Sequence, residues 1–184
     1  RFDRALPLYE EALKLREQIR VQEGDSPDIL LGLSASRIRI ADLENAAGRP
    51  AKAGLLYRDA LELNRHVHAQ GRHRDSRRAL SVSLVRMADW EIAVGRPEQA
   101  KSMYEEALKL DRQILAELGH RPDPMRHVGI SVSRLADIER SAGRFQQAQL
   151  LLEEALELAQ QIRAQLGDSP EILRDVAIPL SRLA

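Results

Sequence analysis

An all-α solenoid of antiparallel helix hairpins, about eight helices long, is the fold class this sequence predicts, and three observations predict it. The stretch Met87–Leu110 carries a helical apolar pattern, a Gly-Arg-Pro break and a second helical pattern, and the unit recurs along the chain. Gly48, Gly95 and Gly143 stand 47 and 48 residues apart, each followed by Arg and then Pro or Phe. Ala12, Ala60, Ala107 and Ala155 keep the same spacing, each followed by Leu, a charged residue and Leu. Self-similarity at such a period marks a stacked array in which each unit contacts its neighbours.

The elements follow in order from apolar periodicity and punctuation. Residues 2–22 read as one helix, with Ala5, Leu8, Tyr9, Ala12, Leu13 and Ile19 at spacings of mostly three and four. Gly24 ends it, because the residue past a helix often needs positive φ. Ser26 is placed to cap the next helix, with Pro27 at its first position, where a missing N–H costs nothing. Gly167-Asp168-Ser169-Pro170 repeats that punctuation, Gly71 and Gly119 hold the corresponding places, and Asp123-Pro124 reads as another cap-and-proline start. The helices expected are 2–22, 27–47, 50–70, 75–94, 97–118, 124–142, 145–166 and 170–184. Most run about 20 residues, roughly 30 Å, and their short connections make neighbours antiparallel. Pro179 falls mid-helix where the other repeats have Ser36, Ser83 and Ser131, so a kink or a local deviation is expected there.

Composition narrows the function classes. The 184 residues carry 28 basic and 28 acidic side chains, so no global field attracts nucleic acid or an anionic membrane. There is no Cys, which removes disulfides, thiolate catalysis and Cys-ligated metal together. No apolar run reaches the roughly 20 residues that span a bilayer, and no signal-peptide pattern opens the chain. A cytoplasmic location is the expectation. Both ends fall inside the repeat, so residues 1–184 are expected to be a single repeat domain excerpted from a longer chain. Its divisions are a partial repeat at 1–24, repeats at 25–71, 72–119 and 120–167, and a partial repeat at 168–184.

The residues carry a family resemblance. Ile40-Ala41, Gly48, Ala53, Tyr57 and Ala60 resemble the signature of the tetratricopeptide repeat (TPR), and Met87-Ala88, Gly95, Ala100, Tyr104 and Ala107 match it again. Leu135-Ala136, Gly143, Ala148, Leu152 and Ala155 match with Leu152 in place of the aromatic. Ala5, Tyr9 and Ala12 supply part of an earlier repeat and Leu183-Ala184 part of a later one. Two departures stand out: the unit is 47 to 48 residues rather than 34, and Glu44, Glu91 and Glu139 replace a common aromatic. The longer unit resembles repeats of kinesin light chains and of bacterial multidomain regulators. The resemblance implies a right-handed superhelix and a scaffold that binds a peptide or helix of a partner protein in a concave groove. In the alternative, the segment is a sensor module fused to an effector enzyme, a signalling ATPase or caspase-like protease, whose chemistry lies outside it. The resemblance implies no cofactor.

Packing logic stands beside that resemblance. Ala53, Ala100 and Ala148 are small where helices cross, and a larger side chain there costs on the order of 1–3 kcal/mol. Tyr57, Tyr104 and Leu152 fill the space one turn later. Apolar stripes on the first and last helices are expected to allow self-association between copies.

Candidate binding residues come from the first helix of each pair, which lines the groove in tetratricopeptide arrays. By that analogy they are Ala35, Ile38, Asp42 and Asn45; Val82, Val85, Asp89 and Ile92; and Ile130, Ser133, Asp137 and Arg140. Arg39, Arg86 and Arg134 precede the three Asp by three residues, on the same helical face. Stacking also offers Asp42 to Arg86, Asp89 to Arg134 and Asp137 to Arg182. These charges form either a structural ladder or a clamp for a partner's carboxylates. Known carboxylate-clamp repeats favour Asn and Lys where Asp and apolar residues stand here, so a partner with an apolar face and mixed charges fits better.

A second candidate is a basic edge of Arg72, Arg74, Arg77 and Arg78 with His66, His68 and His73, continued by Arg121 and Arg126. It would suit an acidic protein or a nucleic-acid backbone, although Trp90 and three Tyr offer little for base stacking. Catalysis finds no support. His66 and His68 diverge on a helix and cannot form a zinc pair. Glu10-Glu11, Glu105-Glu106 and Glu153-Glu154 recur with the repeat, as a solvated face does. No Gly-rich phosphate cradle is present, and no metal is implied.

Overall fold

The computed structural model describes residues 2–71, 73 and 75–183, and the side chains from residue 5 onward within that range. Eight helices account for nearly all of it: α1 (Phe2–Glu23), α2 (Pro27–Ala46), α3 (Pro50–Ala69), α4 (Ser76–Ala93), α5 (Pro97–Leu118), α6 (Pro122–Ser141), α7 (Phe145–Leu166) and α8 (Pro170–Leu183). No strand occurs among the described residues. The fold is an all-α solenoid of helix hairpins. It divides into two compact units, Arg1–Arg96 and Pro97–Ala184, with the boundary in the turn between α4 and α5. In the first unit α2 packs on α1 and α3, and α4 packs on α3 and touches α2; in the second, α5, α6, α7 and α8 pack in chain order.

Most helix starts behave as the sequence predicts. Ser26 Oγ accepts from Ile29 N at 3.4 Å ahead of Pro27, and Ser169 Oγ accepts from Ile172 N at 3.3 Å ahead of Pro170. The start of α6 is a correction. Arg121, with ψ 149, is the flanking residue and Pro122 the first helical one, so Pro124 lies inside the first turn rather than opening the helix. The first-turn N–H groups have no intrahelical acceptor, so two prolines cost no hydrogen bond there. α8 likewise runs through the buried Pro179 to Leu183. The second residue of Leu183-Ala184 lies outside the described residues.

The helix ends share one construction. At the end of α6, Gly143 takes φ +74, which L side chains rarely adopt, and Arg144 N donates back to Glu139 O at 2.9 Å. The side chains of the same two residues then close the loop, Arg144 Nε donating to Glu139 Oε2. Glu44 with Arg49 and Glu91 with Arg96 repeat the backbone bond and the ion pair. Where the resemblance places an aromatic, the sequence therefore supplies a carboxylate that ties the helix end to the turn.

Small residues set the packing distance. Ala53, Ala60, Ala100 and Ala107 are fully buried. Gly54 shows why: a Cβ there would lie 2.2 Å from Cζ2 of Trp90. The indole is held over the glycine by its Nε1, which donates to Pro50 O at 2.8 Å, and by the Arg96 guanidinium 5.0 Å from the ring centroid. No helix among the described residues is long and apolar enough to cross a membrane.

Substituting Gly54→Ala should therefore force Trp90 from its seat and destabilise the protein by about 1–3 kcal/mol through overpacking. Thermal melts with tryptophan fluorescence check this; an unchanged midpoint and emission would show that α3 and α4 have slack at that contact.

Candidate functional site

Each unit presents a cleft on the first-of-pair helices, floored by the helix behind them. In the first unit the cleft is polar. It is lined by Asp42, Asn45 and Ala46 from α2, Tyr57 from α3, and Arg86, Asp89 and Trp90 from α4. Tyr57, buried at the floor, donates its hydroxyl to Asp42 Oδ1 at 2.6 Å. Burial, and then the Asp42 carboxylate beside it, push the Tyr57 phenol above its ordinary range, so it remains a donor that fixes Asp42. Asp42 and Arg86, expected to approach each other, line this cleft together with Asp89.

The second unit's cleft is more apolar and spans about 200 Å³ between α6, α7 and α8. Ile130, Ser133 and Arg134 line it from α6, with Ile178, Pro179 and Arg182 on α8. The stacked pair anticipated at its rim is present, with Arg182 Nη1 3.1 Å from Asp137 Oδ2. Asp137 also receives Arg140 Nη2 at 3.5 Å.

The remaining expected groove residues divide by exposure. Ala35, Arg39, Asn45, Arg86 and Ile92 are exposed, while Val82, Val85 and Asp89 are half-buried. Ile38 is only 8 % exposed and packs inward, so it has little surface to offer a ligand. Along the basic edge, Arg72 and Arg74 lie outside the described residues. Arg78 and Arg121 are exposed and Arg77 is half-buried. Arg126 is drawn to carboxylates, with Nε 3.2 Å from Asp175 and Nη1 3.5 Å from Glu171. His73 Nε2 lies 2.9 Å from Asp28.

Sequence reasoning missed two features of the sites. The Tyr57–Asp42 bond joins a residue assigned to packing with one assigned to the groove. In the sequence the buried glutamates read only as departures from the signature, yet each pairs with the arginine of the turn that follows it. Glu139 is 3 % exposed and faces Arg144 and the Lys101 amine, 2.7 Å away. The Arg144 hydrogen bond first, and Lys101 second, hold its carboxyl at about 2, well below the ordinary 4.5. Glu44 is lowered in the same way by Arg49 and then Lys52. Among the described residues no cluster of three His, Asp or Glu is placed to hold a metal ion.

Because the folded carboxyl of Glu139 titrates below its unfolded counterpart, its contribution is present in full above about pH 4.5 and is lost as pH falls toward 2. Glu139→Gln should lower stability by about 1.5–3 kcal/mol at pH 7, the range of a hydrogen bond to a charged group. The deficit should shrink at pH 3. Urea denaturation at both pH values measures it, and an equal deficit at both would mean that the charge is not what matters.

With the geometry in hand, three comparisons bear on kinship. A tetratricopeptide-repeat family model matches residues 83–114, from the second half of α4 into α5. No curated protein sequence matches the chain. Among solved structures, BtubC (BKLC) from P. vanneervenii is similar at a TM-score of 0.66 and 20 % identity, over 99 % of this chain and 72 % of that one. At that identity the likeness speaks for the fold. Residues 83–114 thus match a tetratricopeptide repeat, and the all-α fold around them is similar to that of BtubC.

Proposed function

We propose that the chain is a non-enzymatic protein-interaction module that holds a peptide or helix of a partner protein against the first-of-pair helices. One observation carries the reading: residues of the first-of-pair helices, Asp42, Asn45, Arg86 and Asp89 in one unit and Ile130, Ser133 and Arg134 in the other, line a cleft in each, with Arg86 and Arg134 at equivalent repeat positions. Side chains that only braced the stack would be closed over by neighbours; these face open space beside partners that fix their orientation. The polar cleft suits a partner's cationic and amide groups, and the second suits an apolar one, so a segment of mixed character fits better than a uniformly acidic tail.

The same reading makes the unit a long-repeat variant of kinesin light chain character, working in the cytoplasm of a bacterium. The 47 to 48-residue spacing supports the first; an Arg-rich, Ala-rich composition supports the second. Self-association is part of it too. Leu8 and Val21 on α1 are 72 % and 86 % exposed, and Leu173 and Leu180 on α8 are exposed as well, leaving apolar side chains that a second copy can cover.

Affinity capture from a bacterial lysate, run with the wild type and an Asp42→Arg, Asp89→Arg, Asp137→Arg triple variant of matched helicity and melting, tests the groove. A protein held by the first and lost by the second is the expected result; equal retention by both would remove the groove from consideration. Light scattering over a concentration series should show an apparent mass that rises with concentration, and a constant monomer mass would refute self-association.

A further inference from the structure

The second unit's cavity arises from three substitutions at positions that are polar in the preceding repeats. Ser34 and Asn64 of the first unit hydrogen-bond at 2.7 Å, and Asn64 Nδ2 also donates to Ala79 O at 3.0 Å. One repeat on, Asp111 accepts from Ser131 Oγ at 3.0 Å. The positions equivalent to Ser34, Asn64 and Ser83 are Ser81, Asp111 and Ser131 in the next repeat, and Gly129, Ala159 and Pro179 in the one after. A buried polar trio has become a glycine, an alanine and a proline, all three of which line the cavity. Removing those side chains leaves both room and an apolar wall, completed by Ile130, Ile162 and Ile178. A Cβ built on Gly129 meets nothing within 4 Å, so the space is real on that side. Apolar cavities of about 150 Å³ hold a benzene ring, and this one, at about 200 Å³, has room for an isobutyl group.

The mouth adds charge. The ionisable side chains lining the cavity are Arg126, Arg134, Arg182 and Asp175, with the carboxylates of Glu171 and Asp137 just outside that lining, beside Arg126 and Arg182. Arg126 lies beside Asp175, while Arg182 reaches Asp137 through Nη1 and keeps further donors in its guanidinium fork. A carboxylate on the ligand, close to the apolar group it inserts, would complement this rim.

Resting on the groove reading, the geometry points to this cavity as the specificity pocket: it takes one aliphatic side chain of a partner peptide, immediately followed by an acidic residue held at Arg134 and Arg182. The pocket is where the chain departs from its own repeat, so the ligand's anchor belongs to this hairpin and not to the others.

The test uses the whole 184-residue chain, with NMR of isotope-labelled isoleucine methyls following Ile130, Ile162 and Ile178. The probes are the capped peptides acetyl-GSLDSG-amide, acetyl-GSADSG-amide and acetyl-GSLNSG-amide, with free 4-methylpentanoate as a fourth. The first should shift the three methyls saturably, the alanine form should not, and the asparagine form should bind at least threefold more weakly at low salt. Gly129→Leu fills the space from a helix position where leucine is favoured over glycine, and it should abolish the response while keeping the melt. Equal shifts from the alanine peptide, or a response that survives Gly129→Leu, overturns the pocket. Tighter binding of free 4-methylpentanoate than of the leucine peptide overturns it as a peptide site. Lysate capture separates this inference from the reading beneath it. If the Asp triple variant loses the partner while Gly129→Leu retains it, the pocket falls and the groove stands; if both lose it, both are supported.

Discussion

Everything in the array hangs on how each first-of-pair helix is stopped and turned, and the chain does this with one buried carboxylate. Glu44, Glu91 and Glu139 each sit four residues before a glycine and five before an arginine. The backbone bond from the arginine N–H to the glutamate carbonyl forces the glycine into the left-handed region, and the side-chain pair between the same residues locks that turn from outside. A carboxylate at 0 to 5 % exposure would be costly alone. Here the guanidinium comes from the turn itself, and at Glu44 and Glu139 a lysine from a packed helix adds a second cation. Because the turn supplies the counter-charge, the second helix of the hairpin starts in a fixed direction before any contact with the next repeat is made.

The clasp explains why an acidic residue can stand where the tetratricopeptide resemblance places an aromatic. An aromatic fills volume and leaves the turn to its glycine; a glutamate also orders the following arginine. In the first unit that arginine does a second job. Arg96, paired with Glu91, also lies over the Trp90 ring. The indole in turn occupies the space that Gly54 leaves and donates to Pro50 at the start of α3. Turn, ring and helix start form one connected contact, so the position of α3 against α4 follows from chemistry at the end of α4.

Much of this was legible in the sequence and some was not, for physical reasons that differ by residue. Helix extents and turns could be read because glycine, proline and small-residue spacing act locally, and the Asp137–Arg182 pair because repeat arithmetic predicts which side chains stack. The start of α6 misled because Asp-Pro is a common cap-and-proline pair, whereas an earlier proline, Pro122, was already available to open the helix. Pro179 stands out in the sequence as the one break in a series of serines, but periodicity alone could not show that Ala159 and Gly129 change with it. Those three residues lie on three different helices and meet only when α6, α7 and α8 pack. The Tyr57–Asp42 bond was hidden in the same way, since a packing position and a groove position read separately give no reason to expect a hydrogen bond between them.

The varying polar positions also bear on how similar hairpins avoid pairing with the wrong neighbour. Arg16 meets Ser36 between α1 and α2, Asn64 meets Ser34 between α2 and α3, and Asp111 meets Ser131 between α5 and α6. At the corresponding positions the last interface has Ala159 on α7 and Pro179 on α8, neither of which carries a polar side-chain atom. If α8 took the place of α6 against α5, Asp111 would face a proline ring that cannot donate. A buried carboxylate that loses such a partner costs about 1–3 kcal/mol or more, enough to disfavour that misregister by at least several-fold. Apolar residues at these two positions therefore serve chain order as well as opening the cavity, because a polar side chain brought against them from another repeat finds no partner there.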